Sequence, residues 1–233
     1  MTIAAGAVIA AGQGSRLSGL GMPKPLVPVA GEPLIAHALN NLAAAGIRRA
    51  VVIFNGEEED CAAYVRERFP ALVSTVIVKT TSSSLESFRE VLAAAPPGRV
   101  LVSTVDAFMT RPDFLAFVRA AERHSEDVTV VAVTPFVDDE KPLWVTAGAN
   151  GRVARIGGDS GGAVTAGLYL LSERARSLSP PESLPRLRDF LAWLCASGEP
   201  IAAVSIEKVV DVDRPEDLET ARELAGAAGE GAA

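Results

Sequence analysis

Short apolar runs alternate with longer amphipathic stretches over the first 135 residues. The runs Ala7 to Ala11, Arg49 to Phe54, Val73 to Val78, Val100 to Val105 and Asp127 to Val133 have strand length and are rich in Val, Ile and Ala. Between them lie stretches of helical character: Pro33 to Ala45, Glu57 to Phe69, the segment from the Thr80–Ser84 loop through Ala94, and Arg111 to His124. Their ends carry the expected signals. Pro33 suits a first helical turn and Gly46 a stop. Glu57 to Phe69 has its acids early and Arg66 and Arg68 late, as the helix dipole prefers. Pro96-Pro97-Gly98 breaks the third helix. Strands that are apolar on both faces, separated by helices, predict a parallel sheet covered on both sides.

After Pro135 the rhythm changes. Leu143 to Ala147 and Val153 to Ile156 flank Ala149-Asn150-Gly151 and predict a hairpin. A strand over Ala163 to Leu171 follows the glycine-rich turn Gly157 to Gly162, and a helix over Leu187 to Ala196 ends at Ser197-Gly198. Ile201 to Ile206 predicts a strand, Val209 and Val210 lead into Asp211-Val212-Asp213, and Pro215 to Ala225 predicts the closing helix. Residues 226–233 are small and lack apolar anchors, so a flexible tail is expected there. With no repeat and no low-complexity linker, the expectation is one α/β domain over residues 1–225. It is Rossmann-like and three-layered, with a mostly parallel central sheet and a mixed-sheet back half.

Composition narrows the function classes. Hydrophobic residues make up 48% of the 233, ample for a large core. A net charge of −7 argues against a broad nucleic-acid-binding face, so any cationic site must be local. Cys61 and Cys195 are far apart without metal-type spacing, and His37 and His124 fall in or near helices; all four read as structural. The N-terminus runs into a strand without a basic leader, and no apolar stretch has the length of a bilayer span. A cytoplasmic protein is expected.

The candidate chemistry is concentrated at the front. The first apolar run ends in Gly12-Gln13-Gly14-Ser15, followed by Arg16 and, after a flexible stretch, Pro23-Lys24-Pro25. Glycines let backbone N–H groups approach an anion closely. Arg16 can fork onto two phosphate oxygens, while Lys24 is a mobile point charge. Together they form a polyphosphate cradle. The dinucleotide fingerprint would need a glycine where Leu17 stands and a helix straight after the loop, and the Gly-Lys-Ser/Thr of a P-loop is absent. Asp106 follows the strand Val100 to Val105, so it is expected at the same sheet edge as the cradle. It is a candidate ligand for the metal that phosphoryl transfer needs, or an ordinary loop aspartate.

Ala10-Ala11-Gly12-Gln13-Gly14-Ser15-Arg16-Leu17 followed by P-K-P-L-V-P-V-A-G-E-P-L-I resembles the signature of the sugar-phosphate nucleotidyltransferases, a family that includes cytidylyltransferases for phosphocholine-like and polyol phosphates. It is similar, more distantly, to the molybdenum-cofactor nucleotidyltransferases. Ser15 stands where those enzymes usually carry Thr, and Val105 where they often have Gly. The resemblance implies attack by an acceptor phosphate on the α-phosphorus of a nucleoside triphosphate, with pyrophosphate leaving. The implied partners are that triphosphate and a sugar 1-phosphate or phosphorylated alcohol; the implied cofactor is Mg²⁺, and nucleic acid and membrane are not implied. The length leaves no room for a further long C-terminal domain, so a bifunctional acyltransferase or isomerase fusion is not expected.

The same resemblance assigns residues. Arg16 and Lys24 take catalytic and nucleotide-binding roles beside Ala10, Ala11, Gly12, Gln13, Gly14 and Ser15. Asp106 takes the metal role, completed by Asp213 or Asp211 from the late motif D-V-D-R-P-E-D-L, with Asp213 preferred; support of a helix cap before Pro215 is the competing use of Asp213. Lys79, Ser83 and Ser84 are placed against the nucleotide, although a serine-rich helix cap would use the same residues. Trp144 and the Gly167-Leu168-Tyr169 segment are placed against the acceptor, with Tyr169 equally suited to the core; Glu140 and Lys141, before Trp144, lie in the same region. The alternatives are transfer to molybdopterin, a nucleotide-binding module that has lost turnover, and a dinucleotide-dependent oxidoreductase, which Leu17 and the proline-bearing loop disfavour.

Overall fold

The structure, a computed structural model, describes residues 3–12, 14–137 and 141–230. Strand β1 (Ala5–Ala10) is buried along its whole length and leads into two 3₁₀ turns, Ser15–Leu20 and Lys24–Leu26. A small hairpin, β2 (Pro28–Val29) and β3 (Glu32–Pro33), turns through Ala30 and Gly31 at positive φ and feeds helix α1 (Leu34–Ala44). Then follow β4 (Ala50–Phe54), α2 (Glu59–Arg68), β5 (Val73–Val78), α3 (Ser84–Ala94) and β6 (Val100–Thr104). The short β7 (Ala107–Phe108), α4 (Arg111–Ala121), β8 (Thr129–Thr134), β9 (Trp144–Ala147), β10 (Val153–Ile156) and β11 (Ala163–Leu171) come next. The chain closes with α5 (Glu173–Ser177), α6 (Leu187–Ala196), β12 (Ile201–Ser205), the short β13 (Val210–Asp211) and α7 (Pro215–Glu230).

Among the described residues the main sheet has nine strands. β5, β4, β1 and β6 lie side by side and parallel; β11 joins β6 antiparallel, β8 joins the far edge of β11, and β12 runs parallel to β8. The β9–β10 hairpin occupies the edge of β11 beyond β6, pairing Val164 with Trp144. Only β10 and β11 oppose the common direction of the main sheet. This is the mostly parallel, three-layer α/β domain that the strand pattern predicts.

Alternation along the strands divides the core in two. Val8, Ala10, Val52, Phe54 and Leu101 face a layer built by α1, α2, α4 and α7; Ala7, Ile9, Val51, Ile53 and Val102 face α3, α5 and α6. Caps fix where two of these helices start. Ser83 Oγ accepts from the Glu86 N–H at 3.2 Å ahead of α3, and Thr110 Oγ1 accepts from the Asp113 N–H at 3.3 Å ahead of α4. His37 is structural: its Nε2–H donates to the Val29 carbonyl at 2.8 Å, and its ring meets Phe108 edge-on.

The closing helix departs from expectation. It does not stop at Ala225 but continues to Glu230, and residues 231–233 lie outside the described residues. Leu224 and Ala225 pack against the core and hold the last apolar turn in place. Alanine, the strongest helix former, follows, so the cost of Gly226, about 1 kcal/mol, does not end the helix. No helix among the described residues is long and apolar enough to cross a membrane.

Candidate active site

From β1 the chain steps through β4 to β5 on one side, then returns through α3 to β6 on the other. The carboxyl ends of β1 and β6 therefore flank a topological switch point, where an open α/β sheet leaves a crevice. A cleft of about 620 Å³ opens there. Its floor is Ala10, Ala11, Gly12 and Gly14, and Arg16 and Lys24 enter from the loop. Leu17 is 1% exposed and anchors the loop in the core, which explains an apolar residue where a dinucleotide loop has glycine. Gly14 has φ +55°, and a Cβ there would stand 2.8 Å from Lys24 Cβ. Only glycine lets the loop close over the lysine.

Lys24 is 7% exposed, and its ammonium donates to Asp106 Oδ2 at 2.8 Å and to Asp213 Oδ1. Arg16 Nη1 reaches Asp213 Oδ2 at 3.4 Å. Residues far apart in the chain meet because β13 pairs with β7, setting Asp211 beside Ala107, while the Val212 N–H donates to the Asp106 carbonyl at 3.0 Å. One carboxylate oxygen from each of Asp106, Asp211 and Asp213 lies within 4.8 Å of the other two. Three hard oxygen donors suit Mg²⁺, and two of them already hold a cation in the form of Lys24.

The electrostatics follow from this packing. Burial pulls the Lys24 ammonium down, but the Asp106 and Asp213 carboxylates outweigh it and hold the group above the ordinary lysine value. Burial pushes Asp106 up; Lys24, with hydrogen bonds from Lys24, Thr104 and the backbone, prevails and holds it below the ordinary carboxylate value. The cap at α7 belongs to Asp217, whose Oδ2 accepts from the N–H groups of Asp213 at 2.8 Å and Arg214 at 2.7 Å. That leaves the side chain of Asp213 directed at Lys24 and Arg16 rather than at the helix start.

A second cleft of about 340 Å³ abuts the first, and the two share Ser84, Thr104 and Asp106. One wall is β11, whose register shifts between Thr165 and Tyr169. Gly167 sits in that bulge at φ +66°, where a Cβ would fall 2.4 Å from Ala107 Cβ and 2.5 Å from Thr104 Oγ1. The glycine lets β11 press onto the turn that carries Asp106. Tyr169 is buried in the same wall, its hydroxyl pushed up to about 12 by burial first, against a hydrogen bond from Thr165, with Asp106 and Asp211 adding to the rise.

Most of the residues singled out by sequence converge here: Ala10, Ala11, Gly12, Gly14, Arg16, Lys24, Ser84, Asp106 and Asp213 line the larger cleft, and Asp211, Gly167 and Tyr169 the smaller. Ser83 lines the larger cleft while capping α3. Gln13 and Glu140 lie outside the described residues, and Ser15 opens the first 3₁₀ turn. Lys79 is not among the residues of either cleft; it pairs with Glu86 at 3.0 Å and Glu90 at 2.6 Å on the exposed side of α3. Trp144 stands in β9, and its neighbours Pro142 and Leu143 line the smaller cleft in its place. Sequence reasoning missed Asn55, which follows β4 at the same sheet edge and whose amide donates to the Ala11 carbonyl at 3.5 Å. The switch-point rule that found Asp106 also points there. It also missed Arg188, which carries no signal in its surroundings.

Comparison with known proteins agrees with this geometry. The bifunctional IPC transferase and DIPP synthase of Rubrobacter xylanophilus is 30% identical over 228 residues, which cover 94% of this chain and 51% of that protein. The CMP-5'-(3-aminopropyl)phosphonate synthase of Streptomyces rubellomurinus is 30% identical over 195 residues, 77% of this chain and 30% of that protein. The chain thus spans about half the length of the first of these relatives and less of the second. Among solved structures, the inositol-1-phosphate CTP transferase from T. maritima shares the fold, with a TM-score of 0.82 at 20% identity over 99% of this chain and 98% of that one. A profile of the MobA-like NTP transferase domain matches residues 6–174, a span that takes in the glycine loop, Lys24, Asp106 and Gly167, and the chain belongs to that family.

Proposed function

We propose that this protein transfers a nucleoside monophosphate from a nucleoside triphosphate to a small phosphorylated acceptor, a sugar 1-phosphate or a phosphorylated alcohol, releasing pyrophosphate. The observation that carries the reading is the junction of two clefts at Asp106, with Lys24 and three carboxylates at the meeting point. The larger cleft takes the triphosphate on the backbone of Gly12 and Gly14, and Lys24 and Arg16 exchange carboxylate partners for phosphate oxygens. The smaller takes the acceptor. An oxygen of the acceptor phosphate attacks the α-phosphorus as the bond to the bridging oxygen breaks and the electron pair leaves with pyrophosphate. No side-chain nucleophile is required; the protein aligns two anions and neutralises the charge that develops between them. Asp106, Asp213 and Asp211 would hold Mg²⁺, which when bound neutralises phosphate oxygens. A triphosphate donor and two free cysteines suit the cytoplasm.

The test is thermal stabilisation by CTP, UTP, dTTP, GTP and ATP, each with and without Mg²⁺, followed by pyrophosphate release with candidate acceptors. A triphosphate at a hundred times its dissociation constant should stabilise by about 2.7 kcal/mol. Selective, Mg²⁺-dependent stabilisation by one base is expected; indifference to all five would overturn the reading. Turnover with GTP and molybdopterin alone would move the acceptor to the molybdenum-cofactor branch.

A further inference from the structure

The cations near the larger cleft come with carboxylates: Lys24 with Asp106 and Asp213, Arg16 with Asp213. Arg188 differs. It lines the smaller cleft, where it is the one cationic residue among the described lining residues. It is half-buried, and its recorded partner is neutral: Nη2 donates to the Lys141 carbonyl. No carboxylate among the described residues pairs with it. A partly desolvated guanidinium held by a carbonyl keeps its full charge and most of its donor fork for something else.

Its position is fixed from two sides. The N–H of Leu187, the residue before it, donates to Ser84 Oγ at 3.1 Å, and Ser84 lines both clefts. Arg188 therefore springs from the junction, at the start of α6. Arg188 lines the same cleft as Tyr169, Asp106 and Asp211, which places the guanidinium beside the junction. A planar fork suits phosphate oxygens bidentately.

We infer that Arg188 binds the phosphate of the acceptor and orients it toward the triphosphate, so that the smaller cleft selects a dianionic phosphate ester over its unphosphorylated alcohol. The inference rests on the reading of the two clefts given above and adds to it the residue that holds the attacking group. Two anions cannot be brought together without a cation for each; the cradle supplies those of the triphosphate, and Arg188 supplies that of the acceptor.

Calorimetric titration of the full chain tests it. Inositol 1-phosphate, glucose 1-phosphate and phosphocholine are titrated into wild type with Mg²⁺, with and without a triphosphate analogue that resists cleavage between the α- and β-phosphates. The tightest of the three is then carried to R188Q and R188K. R188Q should lose at least about tenfold in acceptor affinity, the scale of a hydrogen bond to a charged group. R188K should recover part of it, and both should bind the triphosphate as wild type does. In turnover the loss should appear in the KM of the acceptor and not in that of the triphosphate. Equal acceptor affinity in wild type and R188Q overturns the assignment, as does wild type that binds triphosphate but none of the three acceptors. Should triphosphate fail to bind while acceptor affinity still falls in R188Q, the transfer reaction is wrong and the anchor stands.

Discussion

In the larger cleft the cations are already neutralised: Lys24 lies between Asp106 and Asp213, and Arg16 against Asp213. In the smaller, Arg188 lines the cavity and, among the described residues, is held by the Lys141 carbonyl. The first cleft has a glycine loop at the end of β1 for its floor; the second is walled by residues of β8, β11 and α6 and by Asp106 and Asp211. The contrast suggests different binding rules. With Asp106 and Asp213 against Lys24 and Arg16, the larger cleft offers a free polyanion little net attraction, so triphosphate binding should depend on a divalent cation. Asp106 and Asp211 line the smaller cleft too, but no ion pair among the described residues ties up Arg188, so acceptor binding should depend less on a divalent cation.

The largest expected effect comes from removing the charge at the meeting point. Lys24→Met should lower turnover by about 10²–10³-fold, the loss typical of a group that stabilises transition-state charge. It also leaves Asp106, Asp211 and Asp213 facing one another without their ammonium. The variant should therefore melt below wild type in EDTA and gain more than wild type from added Mg²⁺. Turnover near the wild-type rate, or equal response of the two proteins to Mg²⁺, would erase the difference between the clefts.

That cleft was legible in sequence because its parts are contiguous: Ala11 to Lys24 is one connection, and Asp106 follows a strand whose neighbour is β1. Strands Val73–Val78 and Ala163–Leu171 and helix Leu187–Ala196 likewise run over the residues their patterns predict. What the pattern could not reveal depends on distant partners. β7 and β13 are two residues each and exist through their pairing, yet they decide that Asp211 and Asp213 meet Asp106. Whether Asp213 caps a helix or faces the cleft turns on Asp217, which takes the cap. The resemblance places Lys79 against the nucleotide beside a serine loop, but Glu86 and Glu90 lie within its reach once α3 forms. Arg188 becomes conspicuous only when the surrounding ion pairs can be inspected.

Two glycines, one in each cleft, sharpen the comparison. Gly167→Ala places a Cβ into Ala107 and Thr104 at positive φ, so both backbone strain and overpacking oppose it. A loss of about 2–5 kcal/mol is expected from the two together, read from denaturant unfolding. Gly14→Ala puts its Cβ 2.8 Å from Lys24 Cβ, the near end of a buried side chain, so overpacking adds to the backbone strain of about 1–2 kcal/mol there as well. Because that Cβ presses on Lys24, Gly14→Ala should weaken triphosphate binding and leave acceptor affinity intact. Equal loss of both ligands would mean that the clefts are not separable.

The smallest effect belongs to Lys79. Its ammonium is held by Glu86 and Glu90, and it lies on neither cleft wall. Glu86 in turn accepts from the Ser82 backbone and hydroxyl and from Lys79, and these hold its carboxyl down at about 2. Exposed pairs of this kind contribute little net stability, so Lys79→Ala should change turnover and both ligand affinities only marginally. The contacts from Ser82 to Glu86 survive the substitution, and they, rather than the lysine, order the loop that enters the larger cleft. Glu86→Gln should therefore disturb triphosphate affinity more than Lys79→Ala does. The reverse ranking would show that Lys79 leaves its acids for the phosphates, and the larger cleft would then hold three cations that exchange partners instead of two.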